Sequence, residues 1–335
     1  MNIMLTSAGR RAYMVNYFKN AVKGKGKVYV GNCDENAVSF LYADETVITP
    51  YIYEDGYIDF LIDYCECKNI TLVIPLFDID LYILSMNKAE FEKKNIHLIV
   101  SDISVIEICN DKWKMKCFLE ENEILTPKTY LKIDDAVKAI EEQEIKYPLI
   151  IKPRWGMGSI GVYEADNLEE LKILYSKTNR EIKESYLKYE SKQDYSKSVL
   201  IQEKIIGEEY GGDIINDLKG RYQNTIAKKK YSMRAGETDI AIITKNYMIE
   251  NLGMKIGKRL NHIANLDADF IVTDKKETYV IDLNARFGGG YPFSHCAGVD
   301  LPKAIIMWLQ GEQVQKELLL PQFNIKGYKE INVCK

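Results

Sequence analysis

The segment Ile150–Val162 (IIKPRWGMGSIGV) decides the fold, because it runs from a buried strand through a glycine-rich loop into another strand. The first strand ends at Lys152, and the loop carries three glycines and a serine, which are Gly156, Gly158, Gly161 and Ser159. Glycine frees the backbone to turn its N–H groups toward an anion, and the lysine adds a point charge. This combination suits a triphosphate, and a plain glycine-rich hairpin is the alternative. It is not a Walker A loop, because no Gly-Lys-Ser/Thr follows the glycines.

Residues 202–210 (QEKIIGEEY) form a second candidate part of the site. An edge strand followed by a short linker could present backbone groups to an adenine. A nearby carboxylate could bind ribose hydroxyls. Strands of this kind are common, so this stretch indicates little by itself.

A pair of acidic residues forms the third part. Asp269 is followed thirteen residues later by Asp282, which opens the sequence DLNAR. Two strands joined by a short turn would place both carboxylates on one face of a hairpin, and Asn284 would project the same way. Three oxygen donors in one place suit Mg²⁺ that bridges phosphates, and Arg286 on the same side could meet a transferred phosphoryl group. The alternative, a hairpin with solvated acids, is disfavoured by the apolar residues that flank both aspartates.

Strands and helices alternate before about residue 105, which predicts a parallel sheet with helices on both faces. The predicted strands there cover residues 2–6, 27–31, 45–49, 70–75 and 97–100. One helix is predicted over residues 79–93. Later strands alternate apolar and polar residues and have short turns between them, which favours antiparallel sheets. The predicted fold class is therefore α/β, with an α+β arrangement overall.

Composition excludes several classes of protein. The 335 residues carry a formal net charge of −4, which gives no general attraction to nucleic acid. The seven cysteines are an odd number and fit reduced thiols better than a disulfide framework. No apolar run reaches the ~20 residues of a membrane helix, and the first residues lack the apolar core of a signal peptide. We therefore expect a cytoplasmic protein without a membrane or nucleic-acid partner.

The three stretches occur in an order that resembles the ATP-grasp superfamily, and the chain is most similar to the group related to the carbamoyl phosphate synthase large chain. Residues 5–11 (LTSAGRR) resemble the start of that group's pre-ATP-grasp domain, and residues 110–113 (NDKW) before Thr126-Pro127 resemble the beginning of its ATP-grasp fold. The resemblance implies a Rossmann-like pre-ATP-grasp domain over 1–105 and an ATP-grasp domain over 106–320. The latter would include a lid subdomain at about 125–205, and a C-terminal tail would cover 321–335.

The resemblance also implies roles for individual residues. Lys112 and Lys152 would contact the nucleotide phosphates, and Gly156–Gly161 would close over them as a lid. Glu203 and Ile205 would hold adenine, and Glu209 would bind ribose. Asp269, Asp282 and Asn284 would bind magnesium, and Arg286 would meet the γ-phosphate and the acyl phosphate. Two positions depart from the family pattern: Asp282 stands where glutamate is usual, and Ala285 replaces a proline.

The implied function is an ATP-dependent carboxylate–amine ligase that acts on small molecules. It would use ATP and Mg²⁺, with Mn²⁺ as an alternative ion, and the superfamily is often homodimeric. One alternative is carboxyphosphate chemistry like that of carbamoyl phosphate synthase, and another is a nucleotide-binding regulatory protein without turnover. A Rossmann-type dehydrogenase is rejected, because residues 7–11 (SAGRR) hold one glycine where a dinucleotide fingerprint needs three.

The substrate is less readable from the sequence. Arg10 and Arg11 open a helix after the first strand, where one of them could bind an anionic substrate group and the other would be solvated. Other candidates near the cleft are Arg234, the glycines at 288–290, Ser294 and His295. The run Lys228–Lys230 is either a solvated strand end or a phosphate contact. Residues 176–198 are predicted as a solvated helix or a mobile loop.

Overall fold

The first domain of the computed structural model is a parallel sheet, and the structure as a whole describes residues 1–156, 158, 160–234 and 236–334. Its strands are β1 (Asn2–Thr6), β2 (Val28–Asn32), β3 (Glu45–Ile48), β4 (Ile70–Pro75) and β5 (His97–Leu98). They lie in the order β3-β2-β1-β4-β5, and every neighbouring pair is parallel. The central strands β1, β2 and β4 are almost fully buried, as expected of apolar runs covered on both faces.

Helices cover both faces of this sheet. They are α1 (Ala12–Val22), α2 (Tyr57–Cys67), α3 (Asp78–Met86), α4 (Lys88–Lys93) and α5 (Ile103–Asn110), with a 3₁₀ helix at Val38–Tyr42. The single helix predicted over 79–93 is two helices, because the chain leaves helical geometry at Asn87, whose side chain donates a 2.8 Å hydrogen bond to the Ile83 carbonyl. Helix α5 crosses residue 105, so the predicted domain boundary falls inside an element.

The second sheet has four strands and lies within residues 129–203. After α6 (Lys112–Glu121) the chain forms β6 (Thr129–Tyr130), α7 (Ile133–Glu141), β7 (Leu149–Pro153), β8 (Tyr163–Ala165), α8 (Leu168–Glu184), α9 (Lys188–Ser191) and β9 (Val199–Glu203). The strand order is β6-β9-β7-β8, and the pairs are antiparallel, as predicted. A 3₁₀ helix at Tyr195–Lys197 precedes β9, so most of residues 176–198 are helical.

The third sheet has six antiparallel strands. They are β10 (Glu208–Asn216), β11 (Tyr222–Arg234), β12 (Glu237–Thr244), β13 (Ala264–Val272), β14 (Thr278–Asn284) and β15 (Lys326–Tyr328). Their order is β14-β13-β10-β11-β12-β15. The helices here are α10 (Tyr247–Leu260), α11 (Tyr291–Cys296) and α12 (Leu301–Leu309), with a 3₁₀ helix at Lys316–Leu319. Strand β15 pairs with β12, so part of the predicted C-terminal tail is an edge strand of this sheet.

The apolar cores do not correspond one to one with the three sheets. Two apolar cores each combine residues of the parallel sheet with residues of the six-stranded sheet, as when Met4 and Phe270 belong to one core and Leu5 and Ile215 to the other. The four-stranded sheet has a separate core around Leu149, Leu171 and Ile201. The first and third sheets therefore form one packed body, and the four-stranded lid is a second body against it.

No helix among the described residues is long and apolar enough to span a bilayer.

Candidate active site

The hairpin of β13 and β14 places the predicted acidic residues together. Asp269 lies directly opposite Asp282, and Asp267 lies opposite Asn284. A bulge between Asp269 and Phe270 changes the register just beyond the acidic pair, which is a common device for aiming side chains at a site. The predicted proximity of Asp269 and Asp282 is therefore confirmed.

A first cleft of about 310 Å³ runs between the lid and the six-stranded sheet. Most of the residues predicted to bind the nucleotide line it, and they are Lys112, Lys152, Gly156, Gly158, Glu203, Ile205 and Glu209. Two of the predicted magnesium ligands, Asp269 and Asp282, line it as well. Apolar side chains of Ile150, Ile271 and Ile281 line the same space. A cleft that combines apolar side chains with lysines beside carboxylates can receive a flat base and a chain of phosphates.

The two buried lysines of this cleft, Lys112 and Lys152, lie in different electrostatic surroundings. Lys112 Nζ donates hydrogen bonds of 2.8 and 3.0 Å to the two carboxylate oxygens of Asp282. Lys152 is only 6% exposed, and burial together with the positive charge of Lys112 lowers its pKa to about 8. Both side chains therefore carry strongly desolvated cations that an incoming anion would stabilise.

The glycine loop is held at its start by a bidentate ion pair. Arg154 donates two 2.7 Å hydrogen bonds to Asp111, which also caps α6 by accepting from the backbone N–H groups of Trp113 and Lys114. This contact fixes the loop beside Lys112. Gly158 has a φ of +61°, which a side chain would strain. A Cβ added at Gly161 would lie 3.1 Å from Pro153 Cγ, so this position has little room for a side chain. The predicted contact residue Ser159 lies outside the described residues.

A second cavity of about 300 Å³ adjoins the first and shares Gly158, Asp269 and Asp282 with it. The parallel-sheet domain supplies Arg11, Phe77 and Asp78 to its wall, and the six-stranded sheet and the segment after it supply most of the rest. Asn284 and Arg286 line this second cavity. The acidic pair thus stands at the junction of two spaces, one lined by the predicted nucleotide residues and the other by polar groups from both domains.

Most cations of the second cavity are paired with carboxylates. Lys230 Nζ lies 2.6 Å from Asp269, and Lys228 Nζ lies 2.7 Å from Asp213, although that contact lacks hydrogen-bond geometry. Arg286 donates to Asp78 at 2.9 Å and to Asp267 at 3.2 Å. Burial alone would lower the pKa of Arg286, but Asp78 and Asp267 outweigh it and raise that pKa. Burial raises the pKa of Asp267 to about 6.

Several other predicted residues lie apart from the acidic pair. Arg234 pairs with Asp239 on β12, and Arg10 is exposed. Ser294 donates a hydrogen bond to buried Asp213, and the ring of His295 stacks on Tyr17 with centroids 3.7 Å apart.

Sequence reasoning did not propose Asp78, Asp213 or Asp267 as site residues. Asp267 is two residues before Asp269 on a strand, and this spacing could have indicated that both side chains face the same way. Asp78 follows a buried strand and begins a helix, which is a frequent position for a functional side chain in a parallel sheet. Asp213 offered no such local signal within its strand.

The donor set at the acidic pair suits magnesium. Within the described ranges there is no group of three His, Cys, Asp or Glu side chains arranged to hold a metal ion. Magnesium is usually bound by one or two carboxylates together with phosphate oxygens and water, and seldom by a cage made only of protein groups. Asp269 and Asp282 side by side with Asn284 nearby match that requirement, and both carboxylates are held by lysines in the present state.

Comparison with known proteins assigns the fold. Residues 3–99 match the model of the PylC-like N-terminal domain, and residues 145–292 match that of the ATP-grasp domain. The second match includes the glycine loop, the acidic hairpin and the start of α11. The chain therefore contains an ATP-grasp domain, and its first part is similar to the PylC-like N-terminal domain. The fold class and the superfamily predicted from the sequence are confirmed.

Solved structures share this architecture across almost the whole chain. The biotin carboxylase domain of a 2-oxoglutarate carboxylase from Hydrogenobacter thermophilus, a dimer in complex with MgADP, ADP and bicarbonate, has a TM-score of 0.73 at 20% identity, over 97% of this chain and 73% of that one. An L-amino acid ligase from Bacillus licheniformis has a TM-score of 0.66 at 15% identity, over 91% of this chain and 73% of that one. At these identities the likeness establishes the fold alone.

One curated relative is a ligase. The coenzyme gamma-F420-2:alpha-L-glutamate ligase of Methanocaldococcus jannaschii is 29% identical over 200 residues, which are 56% of this chain and 62% of the relative. The chain therefore spans less than two thirds of the length of that protein.

Proposed function

We propose that this protein is an ATP-dependent carboxylate–amine ligase that activates a small-molecule carboxylate as an acyl phosphate. The observation that carries the proposal is the position of Asp269 and Asp282 at the junction of two adjoining cavities. A phosphoryl group passed from a nucleotide in one cavity to an acceptor in the other would cross this junction. The names of the ligases to which the chain is similar support the same reaction type.

On the nucleotide side, Lys112 and Lys152 would bind the phosphates, and the apolar end of the cleft would hold adenine. Lys112 now pairs with Asp282, so it would exchange that carboxylate for a phosphate oxygen as ATP binds. Glu203 and Ile205 would contact the base, and Glu209 the ribose. The loop that contains Gly156, Gly158 and Gly161 would cover the phosphates and exclude water, which matters because acyl phosphates hydrolyse.

Asp269, Asp282 and Asn284 would hold magnesium, with manganese as the alternative ion to test. A bound Mg²⁺ supplies charge neutralisation to phosphoryl groups. The protein's own contribution is the placement of these oxygen donors opposite the two buried lysines. Release of Asp282 from Lys112 and of Asp269 from Lys230 would free both carboxylates for the ion.

Two bond exchanges complete the proposed reaction. A carboxylate oxygen of the substrate attacks the γ-phosphorus, the bond to the β-phosphate oxygen breaks, and ADP leaves. An amine nitrogen then attacks the acyl carbon, phosphate leaves, and the nitrogen loses a proton as the amide forms. Arg286 would stabilise the negative charge on the transferred group, and its pairing with Asp78 and Asp267 keeps its guanidinium in place.

The size of the second cavity favours an organic acid over bicarbonate as the acceptor. Its volume of about 300 Å³ is at the lower end of the range for small-molecule sites, ~300–1,000 Å³. Bicarbonate has only four heavy atoms and would leave most of that space to water. The relatives named for alpha-L-glutamate and for L-amino acids make amino acids the first substrates to test.

The test is release of ADP and phosphate from Mg-ATP with pooled carboxylates, with and without pooled amines. Release that depends on one acid and rises with one amine is the expected result. ATP binding without release in any pool would refute the ligase and favour the regulatory alternative.

A substitution of Asp282 tests its proposed role in binding magnesium. We expect Asp282→Asn to lower turnover by about 100-fold or more, because it removes one charge from the proposed ion site. Asp274→Asn, an exposed aspartate in the turn of the same hairpin, is the matched control and should retain wild-type turnover. Equal activity of the two variants, measured by coupled ADP release, would refute the metal role of Asp282.

A further inference from the structure

Among the residues that the structure describes, four cationic side chains line the second cavity, and three of them have carboxylate partners. Lys228 pairs with Asp213, Lys230 with Asp269, and Arg286 with Asp78 and Asp267. The fourth is Arg11. Within the part of the chain that the structure describes, no carboxylate lies within salt-bridge distance of its guanidinium.

The hydrogen bonds of Arg11 confirm this difference in charge balance. Its Nη1 donates to the carbonyl of Leu76 and, at 3.2 Å, to the carbonyl of Phe287. Carbonyl oxygens orient a guanidinium but do not neutralise it. A part-buried cation in this setting is costly unless an anion joins it.

The position of Arg11 relative to Arg286 points to the anion it would take. Both side chains donate to the carbonyl of Phe287, Arg11 at 3.2 Å and Arg286 at 3.3 Å. Arg11 therefore lies next to the arginine proposed to meet the transferred phosphoryl group. Arg286 is paired with two carboxylates, whereas Arg11, which lines the cavity, is paired with none among the described residues.

The turn that carries Arg11 is firmly built. Buried Asp80 accepts 2.8 Å hydrogen bonds from Thr6 and from Tyr57, so the end of β1 is fastened to α2 and α3. The next residues include Gly9, with a φ of +52°, and lead directly to Arg11. Such support from neighbouring side chains is what a binding residue requires to hold its geometry.

We infer that Arg11 binds a carboxylate group of the substrate in the second cavity. The inference rests on the proposed ligase function. It limits the substrates of that ligase to compounds with a carboxylate that reaches Arg11 in the second cavity. The carboxylate can come from two sources, either the acid that is phosphorylated or an amino acid that serves as the amine. Arg10, its neighbour in sequence, is exposed and takes no part.

The experiment compares Arg11→Met, Arg11→Lys and the matched control Arg10→Met with the wild type, using the acid and the amine found by ADP release. A charge-assisted hydrogen bond is worth roughly 1.5–3 kcal/mol, which corresponds to a rise in KM of roughly 10- to 100-fold. We expect Arg11→Met to show that rise for one substrate while its KM for Mg-ATP stays within about twofold. Arg11→Lys keeps the charge, so its KM for that substrate should lie between the values of the wild type and of Arg11→Met.

The KM values for the acid and for the amine distinguish the two sources of the carboxylate. If only the KM for the acid rises, Arg11 binds the carboxylate that is phosphorylated. If only the KM for the amine rises, Arg11 binds the carboxylate of an amino acid that serves as the amine. In that case the KM for the corresponding decarboxylated amine should not rise in Arg11→Met. Unchanged KM for both substrates, with normal thermal stability, would overturn the inference. A loss of kcat and of thermal stability in both Arg11 variants without a KM effect would show a structural role and would also overturn it.

A second readout keeps the inference separate from the ligase proposal. If the wild type binds ATP but releases no ADP with any pool, the ligase proposal fails. Thermal stabilisation by the same pooled carboxylates then decides the role of Arg11. Stabilisation that is lost in Arg11→Met and kept in Arg10→Met would support the inference, and no stabilisation of the wild type by any carboxylate would overturn it.

Discussion

At the scale of single residues, burial shifts the pKa of two ionisable groups of the site, Lys152 and Asp267. Lys152 shows this best, because its pKa of about 8 comes first from burial and then from repulsion by Lys112. A free lysine has a pKa near 10.4, so between those two values the folded apo protein prefers the neutral amine. Bound phosphates would reverse that preference, which links nucleotide affinity to pH.

ATP binding should therefore take up a proton at alkaline pH. At pH 8.5 about three quarters of Lys152 is neutral before binding and charged afterwards, so binding takes up about 0.8 of a proton. The affinity for ATP falls as the pH rises above about 8. At pH 6.5 this lysine contributes no uptake. Calorimetry in buffers of different ionisation enthalpy measures the effect. Lys152→Met should remove it and weaken binding, whereas exposed Lys146→Met should not. Equal proton uptake in the Lys152 variant would contradict the assignment.

The sequence identified residues whose signals are local, and it did not identify partnerships made across the fold. Lys152 could be predicted because a strand, a lysine and glycines follow one another along the chain. Asp269 and Asp282 could be paired because a hairpin brings them together. The partners of Arg286 could not, because Asp78 lies 208 residues away in another domain. Nothing in the local sequence at either position specifies that contact.

At the scale of elements, the periodicity of apolar residues located most strands and fixed the direction of the sheets. It failed where side chains interrupt a pattern, as at Asn87, and where a strand depends on a distant partner, as β15 depends on β12. Helix α10 shows a further feature that periodicity does not reveal. It ends at Leu260 with Asn261 as its C-cap, and the next residue, His262, is fully buried, with Nε2 3.0 Å from the Ile214 carbonyl of β10.

Burial of His262 should make this part of the fold sensitive to acid. Burial lowers its pKa to about 4, whereas an unfolded histidine titrates near 6.5. The unfolded chain therefore binds more protons between pH 4 and 6.5, so stability is full above pH 6.5 and falls as the pH drops. The loss from this group at pH 5 is about 2 kcal/mol relative to pH 7.

Urea unfolding at pH 7 and pH 5 measures that difference. His262→Gln should show a smaller loss between the two pH values than the wild type, even if its stability at pH 7 is lower. Exposed His97→Gln is the matched control and should keep the wild-type difference. An unchanged pH dependence in the His262 variant would show that another group dominates.

At the scale of the whole molecule, the proposed site lies where the lid meets the body that the parallel and six-stranded sheets form together. The parallel sheet and the six-stranded sheet share their apolar cores, while the lid has its own. The proposed nucleotide cleft lies between the lid and the body that the parallel and six-stranded sheets form together. The second cavity lies mainly between those two sheets, and Gly158 and Tyr186 of the lid region also line it. A lid with a separate core can change its angle without disturbing the buried contacts that position Arg11, Arg286 and the acidic pair.

The ion pair of Asp78 with Arg286 should help to hold the parallel sheet and the six-stranded sheet together. Asp78 is 5% exposed and joins the start of α3 to the segment after β14. Breaking a buried pair by removing one charge costs roughly 3–5 kcal/mol, because the other charge stays buried. Arg286 keeps Asp267 as a partner in Asp78→Asn, so we expect a loss near the lower end, about 3 kcal/mol, in the free energy of unfolding by urea. Asp102→Asn is the control, since that carboxylate is 82% exposed and lies 4.0 Å from Lys88. If both variants unfold at the wild-type urea concentration, the two sheets are held together by their shared apolar cores alone, and the role of Asp78 is confined to orienting Arg286 at the site.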